Sequence, residues 1–285
     1  MKVFELLEAG NKILKDINVE EYYLKTKMLL LDILNKSKEY LIINKDEEVN
    51  KELENIFFEK LELLKKNIPI QYIINKQEFY GYEFFVNENV LIPQPDTEIL
   101  VEEVINYINS KIIGNSKVDI LDLCTGSGII GICLKKKLES KVCIYESDVS
   151  KNALEVAKKN AERLDADITF IESDLFEKIN SNLKFDIIVS NPPYIKTDVI
   201  KSLSGEVKCE PFIALDGKED GLYFYRKIIE EAKEYLNTNG ILFFEIGYDQ
   251  REEVENLFKE NGYKNVYSKK DYSGNDRIVV GMKGE

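Results

Sequence analysis

Hydrophobic positions recur along the chain with two different periods. In the N-terminal part they fall three and four apart: Val3, Leu6 and Leu7, then Ile13 and Leu14; Leu24, Met28, Leu29, Leu31 and Leu34; and Leu53, Ile56, Phe57, Leu61 and Leu64. That spacing places each set on one face of a helix. Gly10-Asn11, Asn35-Lys36-Ser37 and Asn67-Ile68-Pro69 are the expected breaks between helices. The pattern predicts a small helical bundle over residues 1–74, with the apolar stripes forming its core. Aromatic and β-branched residues then dominate QEFYGYEFFVNENVLIP, where Gly81 and Asn87-Glu88-Asn89 signal turns. We expect a β-hairpin linker over residues 75–95. Pro93 and Pro95 stop it, and Asp96 or Thr97 is placed to cap a helix running from Glu98 to about Ile108.

From Val118 the rhythm changes. Short apolar runs (VDILDLC, KVCIYESD, ITFIESD, FDIIVSN and GILFFEIG) alternate with helical stretches such as GIIGICLKKKL, SKNALEVAKKNAERL and GLYFYRKIIEEAKEYL. Alternation of this kind predicts a mostly parallel sheet with helices on both faces. NVYSKKD and RIVVGMK flank the turn YSGND and predict an antiparallel finish. The fold class is therefore α/β, with a third domain over residues 96–285.

Composition narrows the chemistry. The chain has 285 residues, four cysteines without a CxxC pair, and no histidine. A disulfide framework, a zinc site, Ser-His-Asp catalysis and an imidazole base are all excluded as expectations, and no metal is expected. A net charge of −13 sets the overall field against phosphate backbones. No nucleic acid is expected as an obligatory partner. No apolar run reaches the length of a bilayer span, and MKVFELLEAG lacks the apolar core of a signal peptide. No membrane association and a cytoplasmic location are the expectations.

Candidate chemistry sits at the ends of the predicted strands. DLCTGSGIIGI contains Gly126-x-Gly128-x-x-Gly131 between a strand and a helix, and Asp148 ends the next strand. Glycines there let a backbone approach a cofactor, and Asp148 can accept hydrogen bonds from ribose hydroxyls. That much fits any nucleoside cofactor, NAD included, and a bare strand-to-helix turn is the alternative. Asp122, four residues before Gly126, favours a cofactor with positive charge, such as the amino group and sulfonium of S-adenosylmethionine. Asp174 ends the following strand similarly. Adjacent ends of parallel strands converge, so Asp122, Asp148, Asp174 and Asn191 are expected along one crevice.

The last of these strands runs into Asn191-Pro192-Pro193-Tyr194. Two prolines end the strand and stiffen the residues before them. The resulting rim suits a planar NH2 acceptor: the Asn191 side-chain oxygen and the Pro192 carbonyl can accept its two N–H groups. As the nitrogen attacks a methyl carbon it becomes tetrahedral and positive, and fixed acceptors favour that state. The Tyr194 ring is expected to stack on the planar group. No general base is needed for the attack, consistent with the missing histidine.

These residues together resemble the HemK-type protein-(glutamine-N5) methyltransferases of peptide chain release factors. The resemblance runs through IPQPDTEILVE, DLCTGSGIIGI, ESDVSKNAL, SDLF, SNPPYI, CEPFIALDGKEDGLYFYRKII, FFEIGYDQ and DRIVVG. It implies a helical domain that recognises the release factor and a seven-stranded, mostly parallel Rossmann-like sheet of the S-adenosylmethionine-dependent methyltransferase type. It implies cofactor contacts at Cys124, Thr125, Gly126, Ser127, Gly128, Asp148, Asp174, Leu175 and Asn191. Substrate contacts are implied at Asn191, Pro192, Pro193 and Tyr194, with S-adenosyl-L-homocysteine as product and the GGQ glutamine as acceptor; a monomer is expected. NPPY is shared with adenine-N6 and guanine-N2 nucleic-acid methyltransferases, which form the alternative. Two positions depart from the family pattern: Cys124 stands for its glycine and Gln94 for its arginine. The first costs little as long as the Cys124 backbone needs no positive φ.

Overall fold

The computed structural model describes residues 1–111 and 117–284; residues 112–116 and Glu285, which fall inside the span expected for the third domain, lie outside them. The backbone separates into two compact units, Met1–Lys76 with Ser204–Cys209, and Gln77–Leu203 with Glu210–Glu285.

In the first unit, helices Val3–Asp16, Tyr22–Leu34 and Lys51–Lys65 pack their apolar stripes together, burying Leu6, Leu14, Leu29, Phe57 and Leu61 completely. Asn35 ends the second helix in the left-handed region at φ 50°, and the Asn50 side chain caps the third by accepting from Leu53 N at 2.8 Å. The break expected at Gly10-Asn11 does not exist. Gly10 lies inside the first helix, where a β-carbon would stand 2.6 Å from Thr26 Cγ2 and 2.8 Å from Phe57 Cζ. This glycine serves close helix crossing. Segment Ser204–Cys209, distant in sequence, joins this unit: Glu206 pairs with the buried Lys25.

The second unit opens with an antiparallel hairpin, β1 (Gln77–Phe79) and β2 (Tyr82–Phe84), turned by Tyr80 at φ 52° and Gly81 at φ 79°. Neither Asp96 nor Thr97 caps the helix Glu98–Lys111. A 3-10 turn, Pro95–Thr97, precedes it, and both side chains are committed elsewhere: Asp96 to Arg277 at 3.0 Å and Thr97 to Glu245 at 2.6 Å.

Seven strands follow: β3 (Val118–Leu123), β4 (Val142–Asp148), β5 (Ile168–Glu172), β6 (Phe185–Ser190), β7 (Leu236–Glu245), β8 (Lys264–Lys270) and β9 (Asp276–Met282). Their order is β5-β4-β3-β6-β7-β9-β8, with β3 to β7 parallel and β9 antiparallel to both neighbours. Alternate residues of β3 enter separate cores. Ile120 packs with Ile132, Leu134 and Val189, while Leu121 and Leu123 pack with Ile188, Ile228 and Phe244. Burial on both faces explains the continuous apolar runs of the central strands. The chain builds β3, β4 and β5 outward, then returns to place β6 on the other side of β3. That reversal opens a crevice beyond the carboxyl ends of β3 and β6.

Candidate functional site

The crevice holds a cavity of about 310 Å³. β3 delivers the glycine turn to it, and Cys124, Thr125, Gly126 and Ser127 all lie on its wall. Gly126 has φ 57°, and a β-carbon there would meet no protein atom within 4 Å. Its glycine thus answers to backbone conformation and to the open space in front of it. Gly128 is different: it is absent from the cavity wall, and a β-carbon on it would stand 2.9 Å from Glu146 Oε2. It lets the turn sit close on β4. Cys124 adopts φ 61°. The replacement of the family's glycine is therefore not neutral, because a β-carbon in the left-handed region costs roughly 1–2 kcal/mol.

Asp122 does not join the crevice. It is fully buried, opposite Glu146 in the parallel register of β3 and β4. Its Oδ2 accepts from Thr125 Oγ1 at 2.7 Å and from Gly131 N at 3.2 Å. The carboxylate braces the turn from beneath and cannot reach a cofactor's ammonium group. Burial pushes both acids of this pair upward in pKa.

Asp148 does reach the wall. Its Oδ2 accepts from Gly126 N at 2.9 Å and its Oδ1 from Ser150 N at 2.8 Å, so the acid joins the glycine turn to the next helix. Burial raises its pKa, and the hydrogen bonds from Ser150 and Gly126 oppose that rise. Asp174 and Leu175, just past β5, line the same cavity, as do Asn191 and Pro193 past β6. Asn160 ties the linker to this wall, accepting from Phe85 N at 2.7 Å and donating to Ser127 O at 2.9 Å.

Pro192 and Tyr194 are not on the wall. Pro192 is buried. The half-buried Tyr194 ring packs against the core on the β7 side, near Arg277. Burial and the nearby Glu245 raise its pKa, against Arg277. The expected stacking of this ring on an acceptor remains a proposal, since the ring does not line the cavity itself.

Several residues escaped the sequence reading. Gly217 and Gly221 clamp the rim: a β-carbon on Gly217 would stand 2.7 Å from Tyr194 C, and one on Gly221 2.5 Å from Tyr194 O. Gln250 Nε2 donates to Tyr194 O at 3.1 Å. Thr97 stands beside Asn191 on the cavity wall and Glu245 behind them, each 2% exposed. The glycines of LDGKEDG were a visible signal for close backbone approach. Nothing local marked Thr97 or Glu245 as partners of Asn191.

The glycine turn, the Asp148 acceptor and the open wall at Gly126 fit a nucleoside cofactor. Among the described residues no group of three or more acids and cysteines is placed to hold a metal ion, and no helix is long and apolar enough to cross a membrane.

Residues 96–205 match the Methyltransferase small domain, and residues 5–74 match the PrmC N-terminal domain. The chain is 40% identical over 288 residues to the release factor glutamine methyltransferase of Clostridium acetobutylicum, covering 100% of this chain and 99% of that one. It is 39% identical over 283 residues to the release factor glutamine methyltransferase of Bacillus cereus, covering 98% of each. Among solved structures it resembles a methyltransferase from Pyrococcus furiosus, at 16% identity and a TM-score of 0.52 over 80% of this chain and 99% of that one. It also resembles the hMettl16 catalytic domain, at 16% identity and a TM-score of 0.58 over 72% and 77%. Those two likenesses concern the fold.

Proposed function

The chain belongs to the release factor glutamine methyltransferase family, and on that premise we propose that it transfers the methyl group of S-adenosylmethionine to the side-chain nitrogen, N5, of the GGQ glutamine of peptide chain release factors. The observation that carries this reading is that Asn191 shares one cavity wall with the glycine turn and Asp148. An amide acceptor and a nucleoside-bound methyl donor can then meet at a strand end.

Gly126 and its neighbours Cys124, Thr125 and Ser127 would hold the cofactor's polar chain, Asp148 its ribose, and the Asp174–Leu175 step its base. S-adenosylmethionine supplies an electrophilic methyl carbon; the N–C bond forms as the C–S bond breaks, one N–H proton leaves to solvent, and S-adenosylhomocysteine remains. Asn191 Oδ1, on the cavity wall, accepts one N–H of the glutamine amide, and the backbone carbonyl of Pro192, whose residue does not line the cavity, is the proposed acceptor of the other. Their acceptance strengthens as the nitrogen loses its conjugation and gains positive charge. Pro193 shapes the wall beside them. Orientation contributes much of the rest, out of roughly 7–11 kcal/mol accessible to positioning.

The helical unit is the proposed release-factor reader. It carries exposed apolar side chains, Tyr23, Leu24, Ile42 and Ile43, of the kind that protein recognition uses. A monomer is the proposed state. A cytoplasmic location follows from a substrate that works in translation.

Radiolabelled S-adenosylmethionine offered with purified release factor, duplex DNA and rRNA tests the reading. Label is expected on the release factor. Label on nucleic acid with none on the factor would overturn it in favour of an adenine-N6 or guanine-N2 activity.

A further inference from the structure

Asn191 can face the acceptor in two ways, and the two are chemically opposite. Its carboxamide carries an oxygen that accepts and an NH2 that donates. Only the oxygen is useful to a glutamine amide whose two N–H groups need acceptors. A carboxamide turned the other way would set donor against donor.

The structure contains a device that chooses. Thr97 Oγ1 donates to Glu245 Oε2 at 2.6 Å, with both residues buried. An ionised carboxylate only accepts, so the single hydroxyl proton of Thr97 is committed to it. The Thr97 oxygen is left able only to accept, and Asn191 Nδ2 donates to it at 3.4 Å. With the NH2 held on that side, Oδ1 is the atom left for the cavity that Asn191 lines.

We propose that Glu245, acting through Thr97, sets the orientation of the Asn191 carboxamide and so ensures that the acceptor meets an oxygen. This makes Glu245 and Thr97 positioning residues, and it rests on the amide-methylating function proposed above. The device has a built-in sensitivity. A protonated Glu245 could donate to Thr97 Oγ1, whose own proton would then be free to point at Asn191. The carboxamide would then turn over, and its NH2 would meet the substrate.

The surroundings of Glu245 place that change in an accessible range. Burial pushes its carboxyl up to about 7, while Thr97, Arg277 and Asn191 draw it down and Asp96 adds to the rise. The other groups facing it are Tyr194 and Tyr225, both neutral phenols whose own pKa values are raised. Arg277 is itself shared with Asp96 at 3.0 Å and Asp271 at 3.2 Å. Transfer therefore requires the ionised form, and the rate falls as pH drops through the Glu245 pKa.

The experiment measures methylation of purified release factor by the full chain between pH 5.5 and 8.5, with cofactor affinity measured separately. Wild type should show one acid limb in kcat. Glu245→Gln offers Thr97 either an oxygen or an NH2, so kcat should fall about tenfold or more, with cofactor Kd changed by less than about threefold and the acid limb gone. Thr97→Val should lose rate similarly, and Thr97→Ser should recover part of it. Wild-type kcat and an unchanged acid limb in Glu245→Gln would overturn the inference. So would parallel losses of kcat, cofactor affinity and thermal stability, with no recovery in Thr97→Ser, because that pattern marks a purely structural role. A wild-type chain that methylates no release factor would overturn the proposed function itself, and the inference with it.

Discussion

The glycine turn and the Asn-Pro-Pro-Tyr rim stand on the same cavity, yet they are held in different ways. The turn is fixed by its own neighbourhood. Residues 124–128 rest on the next strand, with Glu146 filling the space that a β-carbon at Gly128 or Gly131 would need. Asp148 accepts from Gly126 N, and Asp122 from the Thr125 hydroxyl and from Gly131 N in the following helix. The rim is fixed from afar. Thr97 and Glu245, 148 residues apart, hold Asn191 in a chain of hydrogen bonds, and Gly217, Gly221 and Gln250 enclose Tyr194. Binding a cofactor common to many enzymes needs only the local device. Orienting one acceptor amide draws on residues from four separate regions of the chain.

This contrast can be broken from either side. The largest effect is expected at the rim. Gly217→Ala places a β-carbon 2.7 Å from Tyr194 backbone atoms, which cannot move like a side-chain end. Overpacking of this kind costs about 1–3 kcal/mol, and turnover should fall further than cofactor affinity. Equal losses of both would show that rim and turn are one mechanical unit. Next comes the turn: Asp148→Ala removes the acceptor of Gly126 N and Ser150 N. Cofactor affinity, read by calorimetry, should drop about tenfold or more, equivalent to ~1.4 kcal/mol. An unchanged affinity would count against the ribose assignment.

Both regions share buried acids, and these tie stability to pH in a defined direction. Burial pushes Asp122 beneath the turn, Glu245 behind the rim and Glu210 beside the linker each up to about 7. Their unfolded values lie near 4. The native chain therefore binds more protons than the unfolded chain between these limits, and stability falls as pH rises from about 4 to 7. Acids drawn downward, Asp216, Asp220 and Asp271, contribute stability that is lost only at lower pH. Scanning calorimetry at pH 5 and pH 8 should give the higher Tm at pH 5, and Asp122→Asn should shrink the difference. A higher Tm at pH 8 would contradict this. Methylation should move the opposite way, since the rim needs Glu245 ionised.

The smallest effect is at Cys124. With φ at 61°, Cys124→Gly should relieve strain but add freedom to the unfolded chain, leaving a gain of up to about 1 kcal/mol. A loss of stability in thermal denaturation would mean that the side chain does more than occupy the turn.

The same contrast governs what could be read from the sequence. Apolar spacing marked the three long helices of the bundle and all seven strands of the large sheet, but not the helix Arg251–Glu260. Burial on two faces writes itself into consecutive residues of the central strands such as β3 and β6, whereas β8 is largely exposed. The glycine turn was legible for the same local reason. Gly10 misled, since a glycine that ends a helix and one that admits a neighbouring helix look alike without the partner, here Thr26 and Phe57. Asp122 misled too: an acid near a strand end can face the crevice or the packed side, and only the register opposite Glu146 decides. The packing of Gly217 and Gly221 on the Tyr194 backbone was not read from the sequence. Thr97, read as a helix cap, and Glu245 carried no local sign that they partner Asn191.

The central claim is that the rim presents acceptors to a glutamine amide while the turn independently holds the methyl donor. Mass spectrometry of the GGQ peptide from release factor treated with wild type or with Asn191→Ala, alongside cofactor titration of both, tests it most directly. The account predicts one added methyl on the glutamine with wild type. It predicts none with the variant, whose cofactor affinity stays within about tenfold. Full methylation by Asn191→Ala would contradict it.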